Sequence, residues 1–480
     1  MFQPDGLIRQ RSGRYLGGTF QRPARLQYAV LGEIALAVIP AMLVVKAGAP
    51  RLGAYWLFLV VGACLVVNAF ASGTVANMAL VVGVMPAAAL LRTLFLYNSV
   101  ILLLAAALAG IVFRSRKQMR LLTGAGFVWI LYFSILYWLV SYALTGDYSS
   151  NLRMLELVLG AAVLLALLRF PDFLATALFG LLLSLVVIGA ALYGYGDRLG
   201  YASVDGISLG NPITFGEPLA LLLLLLVADN GKWFLLQRNA PLRMLLCLIV
   251  GVLLLLSTSR GSWLVAAAGL VVILALNRRS RASVLVGLAV LGIALGVALR
   301  TDRGQDLSAW IGRTFSDDRS LSKRTDGRTD QWILVPAVMR DAQPWGFGPG
   351  TGPEIYARYS ALDPRVRLDP GHGMAWHSLY LQFLVENGVI GLAALLILLA
   401  VLIRADLRHW RHTGEVMPLV ATIGFMMIAL TVSGMDAPSG FYLGFGFALR
   451  HNLPRARTRR EAPAVADVFE TRPEPELALP

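Results

Sequence analysis

Apolar runs of helix length, parted by short polar or basic stretches, recur along almost the whole chain. They fall near residues 26–46, 53–71, 93–113, 121–144, 152–169, 173–193, 213–228, 242–257, 262–277, 282–299, 377–403 and 416–434. Each is close to the ~20 residues that cross a ~30 Å hydrocarbon layer. Backbone groups inside lipid must be satisfied within the segment, which calls for helices. Two shorter runs, 77–91 and 438–450, are ambiguous. The pattern predicts an all-α polytopic membrane protein with about 12–14 transmembrane helices.

Composition agrees: 57% of the 480 residues are hydrophobic and 15% charged, a balance no single soluble core explains. A net charge of +14 raises the question of nucleic acid, but the basic residues sit in clusters between apolar runs. These are Arg9, Arg11, Arg14, Arg22 and Arg25; Arg114, Arg116, Lys117 and Arg120; Arg278, Arg279 and Arg281; Arg404, Arg408 and Arg411; and Arg455, Arg457, Arg459 and Arg460. With both ambiguous runs counted as spans all five fall on one side, so the positive-inside rule makes both termini cytoplasmic; fourteen crossings fit this parity of the termini, and so do twelve if neither short run is a span. The first run follows a charged tail without a small-residue cleavage site and is expected to be retained as a helix. Cys64 and Cys247 both lie in predicted spans and suggest neither a disulfide nor a metal site.

The expected organisation is a cytoplasmic basic tail (1–25), a transmembrane bundle (26–299), a large outer loop (300–376), C-terminal transmembrane helices (377–450) and a disordered cytoplasmic tail (451–480). Long loops in compact proteins commonly carry function. This one is nearly neutral, with eleven Lys/Arg against ten Asp/Glu. Within it, residues 330–339 have the apolar positions of a short amphipathic helix, with Pro336 as an expected kink or boundary. Residues 461–480 hold five acidic residues and four prolines, a composition that builds no core. No fixed-period repeat is visible, which disfavours a repeat-built transporter.

Three elements meet on the outer side of this topology: Thr258-Ser259-Arg260-Gly261, the loop segment Gly327 to Trp332, and His377. An arginine wedged between apolar runs must face protein or the membrane boundary. Arg260 just precedes a predicted helix, so its guanidinium and the free N–H groups of that helix start suit a phosphate. The alternative is an arginine reaching to lipid headgroups. Arg328, in a loop with other cations, gains weight from its spacing to Trp332, which puts both on one helical face and lets Trp332 anchor the segment. His377 opens a long apolar helix, where a neutral imidazole suits a general base for a hydroxyl nucleophile. An interfacial hydrogen-bonding role is the other reading. His372 lies five residues earlier, but two histidines without a carboxylate make a poor metal site. Residues 346–352 alternate glycine without the ending of a P-loop, so a tight turn allowing close backbone approach is expected. Glu217 and Glu386 are carboxylates in or near predicted spans and stand out for their desolvation cost.

Four segments in order carry a resemblance: GNPITFGEPLALLLLLL at 210–226, STSRGSWL at 257–264, GRTDQW at 327–332 with PWGFGPGTG at 344–352, and HSLYLQFLVENGVIG at 377–391. Together they make the C-terminal half resemble the O-antigen ligase family of membrane glycosyltransferases, a superfamily that includes polysaccharide polymerases and protein O-oligosaccharyltransferases. The resemblance implies metal-independent, inverting transfer of a glycan from undecaprenyl diphosphate to an acceptor hydroxyl, such as lipid A-core, on the periplasmic face of the bacterial inner membrane. It implies no cofactor. By position, Arg260 and Arg328 would neutralise the diphosphate and His377 would orient or deprotonate the acceptor. Ser259, Gly261, Trp332 and Glu217 complete the expected substrate-binding set. Family ligases often place asparagine after this histidine, where this chain has Ser378, so a polymerase sharing the same donor is the second reading. A transporter of lipid-linked sugar is a third, disfavoured because the suspect residues gather at a boundary and not at the midplane.

Overall fold

A computed structural model describes residues 23–71, 74–91, 99–114, 149–167, 170–193, 201–204, 207–228, 239–278, 281–298, 327–366, 370–431 and 437–452, with a few isolated residues between. The basic tail up to residue 22, nearly all of the run 121–144, most of 301–326 and the tail from 453 lie outside the described residues. The helices are α1 (Pro23–Lys46), α2 (Pro50–Ala71), α3 (Thr74–Leu91), α4 (Ser99–Arg114), α5 (Ser149–Leu167), α6 (Pro171–Leu192), α7 (Pro212–Ala228), α8 (Ala240–Leu256), α9 (Arg260–Leu276), α10 (Arg281–Ala298), α11 (Arg328–Asp341), α12 (Gly352–Ser360), α13 (Leu379–Thr413), α14 (Met417–Thr431) and α15 (Ala437–Asn452). The architecture is all-α and polytopic. Among the described residues four helices, α1, α2, α6 and α13, are long and apolar enough by themselves to cross a membrane. A short antiparallel hairpin, β1 (Tyr201–Val204) and β2 (Ile207–Gly210), lies between α6 and α7 and was not expected from the apolar pattern.

Burial explains the two ambiguous runs. Both are helical, as α3 and α15. From Ala76 to Leu91, α3 is buried at every position, and α7 is buried almost throughout. A helix apolar all round belongs inside the bundle, where neighbours and not lipid set its length. The peripheral helices show the complement: Leu52, Tyr55, Leu59, Val66 and Phe70 of α2 are exposed apolar side chains, as expected of a face turned to lipid.

Small residues let backbones approach where lipid gives no hydrophobic drive. Gly83 of α3 and Gly180 of α6 clasp Ile34 of α1; a Cβ on either glycine would lie 2.4 or 2.3 Å from its Cδ1. The Ser184 hydroxyl donates to the Gly83 carbonyl at 2.5 Å across the same crossing. In α15, Gly440 and Gly444 form a GxxxG pair that meets the backbone of α5 at Leu157 and Ala161.

Two cores result. The large one fills the bundle. A second and smaller core joins Leu334 and Val338 of α11, Ile355, Tyr356 and Tyr359 of α12, Trp376, and Leu381 and Val385 of α13. This outer unit is therefore built on the first turns of α13. Pro336 is not a helix boundary: α11 continues through it from Arg328 to Asp341. The break falls instead in α13, where Gly388 adopts φ 65° and ψ −166°. Beyond it the exposed apolar side chains start at once, with Val389 52% and Ile390 60% exposed. His377 thus precedes a short segment, 379–387, packed into the outer unit, and the long lipid-facing helix begins only after Gly388.

Candidate active site at one end of the bundle

The turn between α8 and α9 is made by competition for hydrogen bonds. The Ser257 hydroxyl donates to the Leu254 carbonyl at 2.7 Å and Ser259 caps α9 by accepting from the Ser262 N–H at 3.4 Å. Between them Thr258 sits at φ 51°. A β-branched residue there is a genuine outlier, of a kind that costs about 1–3 kcal/mol and persists only where the surroundings force it. The strained turn makes Arg260 the first residue of α9, so its side chain leaves beside the free N–H groups of a 17-residue helix.

Close packing fixes what lies next to that turn. A Cβ on Gly216 of α7 would lie 2.5 Å from the Ser262 hydroxyl, so Glu217 is carried beside the arginine turn. Glu217 is 1% exposed. Its carboxylate accepts from the Ser439 hydroxyl at 3.4 Å and its backbone carbonyl from the Tyr442 hydroxyl at 2.9 Å. On the other side, a Cβ on Gly261 would lie 2.7 Å from the Thr431 hydroxyl at the end of α14.

The same end of α14 receives the histidine segment. The Ser378 hydroxyl donates to the Ala429 carbonyl at 3.3 Å, and the Tyr380 hydroxyl to the Met426 carbonyl at 3.2 Å. Gln331 then ties this segment to α11: its Oε1 accepts from the His377 N–H at 2.7 Å and its Nε2 donates to the Ala375 carbonyl at 3.0 Å. Arg328, one turn earlier on the same helix, is therefore linked to His377 through a single side chain. The neighbours of Arg260, Arg328 and His377 form one continuous set of contacts around the end of α14.

Two expectations need correction. Trp332 does not anchor α11, being 50% exposed; Leu334 and Val338 do so. Nor does His377 begin the long apolar helix, which Gly388 separates from it. The glycine-rich stretch does allow close backbone approach. The break at Gly388 leaves the Val385 and Glu386 carbonyls to accept from Phe347 N–H at 3.0 Å and Gly348 N–H at 2.9 Å. Gly346 and Gly388 face each other so tightly that a Cβ on Gly388 would lie 2.1 Å from the Pro344 carbonyl oxygen. Buried Glu386 accepts from the Gly352 N–H at 3.2 Å and from Gln382 at 3.3 Å, so it clamps this loop. Gln331 lies within the GRTDQW segment, where nothing sets it apart from its neighbours; its spacing of three from Arg328 places it on the helix face that the structure buries.

Comparison with protein families matches residues 245–396 to the family described as O-antigen ligase. That stretch is similar to the O-antigen ligase family. The ligase domain so defined contains Arg260, Arg328 and His377 and leaves Glu217 outside. The match supports a membrane glycosyltransferase of the ligase or polymerase kind in general. No curated protein matches the chain.

Proposed function

We propose that the protein moves a glycan from undecaprenyl diphosphate to an acceptor hydroxyl, that of lipid A-core, at the periplasmic face of the inner membrane. The gathering of the Arg260, Arg328 and His377 segments around the end of α14 carries this reading. His377 accepts the acceptor's proton as the hydroxyl oxygen forms its bond to the anomeric carbon. The bond from that carbon to the diphosphate oxygen breaks, and attack from the opposite face inverts the configuration. The departing diphosphate keeps the electron pair, and its charge is met by Arg260, Arg328 and the N–H groups opening α9. Ser259 and Gly261 hold that helix start in place, Glu217 supports it from α7, and half-exposed Trp332 offers an apolar surface to the donor. Both termini lie in the cytoplasm on this reading, and no metal or cofactor takes part.

The test is the electrophoretic profile of surface glycan from cells lacking the gene, with and without the His377→Ala form. Loss of lipid A-linked polymer, with long glycan retained on the carrier, is the expected result. A single repeat still joined to the lipid core would assign the polymerase role, and an unchanged ladder would overturn both.

A further inference from the structure

We infer that Gln331 is a positioning residue that sets His377 in register with Arg328; the inference rests on the site reading above. Gln331 is 1% exposed, and both ends of its amide are used on one short stretch of backbone. Its Oε1 takes the N–H of His377 and its Nε2 meets the carbonyl of Ala375, at 2.7 and 3.0 Å. A side-chain amide that pairs an N–H and a carbonyl two residues apart mimics a neighbouring strand, and it fixes both the position and the rotation of that stretch.

The residue between is held by its own side chain. Trp376 is buried in the outer core, donates from Nε1 to the Gly352 carbonyl at 3.1 Å, and meets Tyr356 edge to face at 5.9 Å. Residues 375–377 are thus held through both backbone and side chain. Arg328 stands three positions before Gln331 in α11, on the same face. The α11 helix is itself locked by fully buried Leu334 and Val338. The backbone of Arg328 is then joined to that of His377 by one helix turn and one side-chain hydrogen bond. Few other side chains could serve. Glutamate keeps the acceptor for His377 but sets an oxygen against the Ala375 carbonyl, and methionine fills the volume while leaving an N–H and a carbonyl unpaired.

The experiment uses the purified full-length enzyme with a lipid-linked glycan donor and its acceptor, and compares Gln331→Met, Gln331→Glu, Leu334→Ala and His377→Ala. A misplacement of about 1 Å costs on the order of 10²-fold, so Gln331→Met should lower kcat by about that factor with the donor KM little changed. Gln331→Glu should recover part of the loss. The acid limb of the pH profile should move in Gln331→Met and stay in place in Leu334→Ala, which loosens the same helix without touching His377. Wild-type kcat per folded enzyme and an unmoved acid limb in both Gln331 variants would overturn the inference. Should Gln331→Met not fold, Gln331→Glu carries the same two readouts. Failure of the underlying site reading is distinct: His377→Ala itself would then retain wild-type transfer.

Discussion

Arg260→Ala and Arg328→Ala are each expected to lower glycan transfer by about 10²–10³-fold, the usual cost of losing one group that meets developing charge. Membrane insertion should be normal, and in vitro transfer with both variants checks the expectation. Lysine is expected to rescue only partly, because a point charge replaces a two-oxygen fork. A second residue-scale prediction concerns Tyr359, whose hydroxyl donates to Asp341 at 2.5 Å. Burial first, then the hydrogen bond and charge of Asp341, push this phenol up to about 12. The raised value favours the neutral form in the folded protein. Its contribution to the outer unit is complete below the ordinary tyrosine range near 10 and is lost as pH rises through about 12. An ultraviolet titration of wild type minus Tyr359→Phe should show this residue still mostly un-ionised at pH ~11, above the usual tyrosine range. Arginine and histidine announced themselves in the sequence because charge between apolar runs is costly. Gln331 did not, because an amide's importance lies in its partners, 44 and 46 residues away.

At the scale of elements, the break in α13 is the decisive feature. Gly388→Ala would put a left-handed φ on alanine and a Cβ 2.1 Å from a carbonyl oxygen, so the glycine loop must part from the helix. The backbone strain alone is worth about 1–3 kcal/mol. Limited proteolysis should then cut residues 343–351 faster than in wild type, whereas Gly62→Ala in α2, with open space around it, should leave the pattern unchanged. The glycines were readable as a close-approach signal, but not what they approach. The run from residue 377 reads as one span because Gln382, Glu386 and Asn387 are outweighed by the apolar residues around and after them, and one glycine barely lowers its hydropathy. Only the docked loop, which takes the carbonyls freed at Val385 and Glu386, shows why the helix breaks there.

For the whole molecule, the break in α13 is expected to lie where lipid begins, because exposed apolar side chains start just beyond it. The Ile390 N–H donates to the Pro344 carbonyl at 3.2 Å, which sets 65%-exposed Trp345 beside the first lipid-facing residues of α13. Tryptophan prefers that boundary. In proteoliposomes, the fluorescence lost on Trp345→Phe should be quenched more by lipids labelled near the headgroup than by lipids labelled at the chain end. Equal quenching by both would place the loop elsewhere. The proposed chemistry also predicts that a chelator leaves turnover of the purified enzyme unchanged, since cationic side chains and a helix N-terminus meet the leaving diphosphate.

The sequence alone determined the helical membrane class and most helix positions, because the length and apolarity of a run are local properties that lipid reads directly. It also singled out Arg260, Arg328 and His377 by charge, setting and motif order. Tertiary structure decided which helices are central, since α3 and α15 look too short until their neighbours are known. It decided as well that the end of α14 joins the arginine turn to the histidine segment, and that one glutamine spans from α11 to His377. Those facts depend on which distant backbones touch. Such contacts come from close packing at glycines and from hydrogen bonds between residues far apart in the chain, and neither leaves a periodic trace in the order of amino acids.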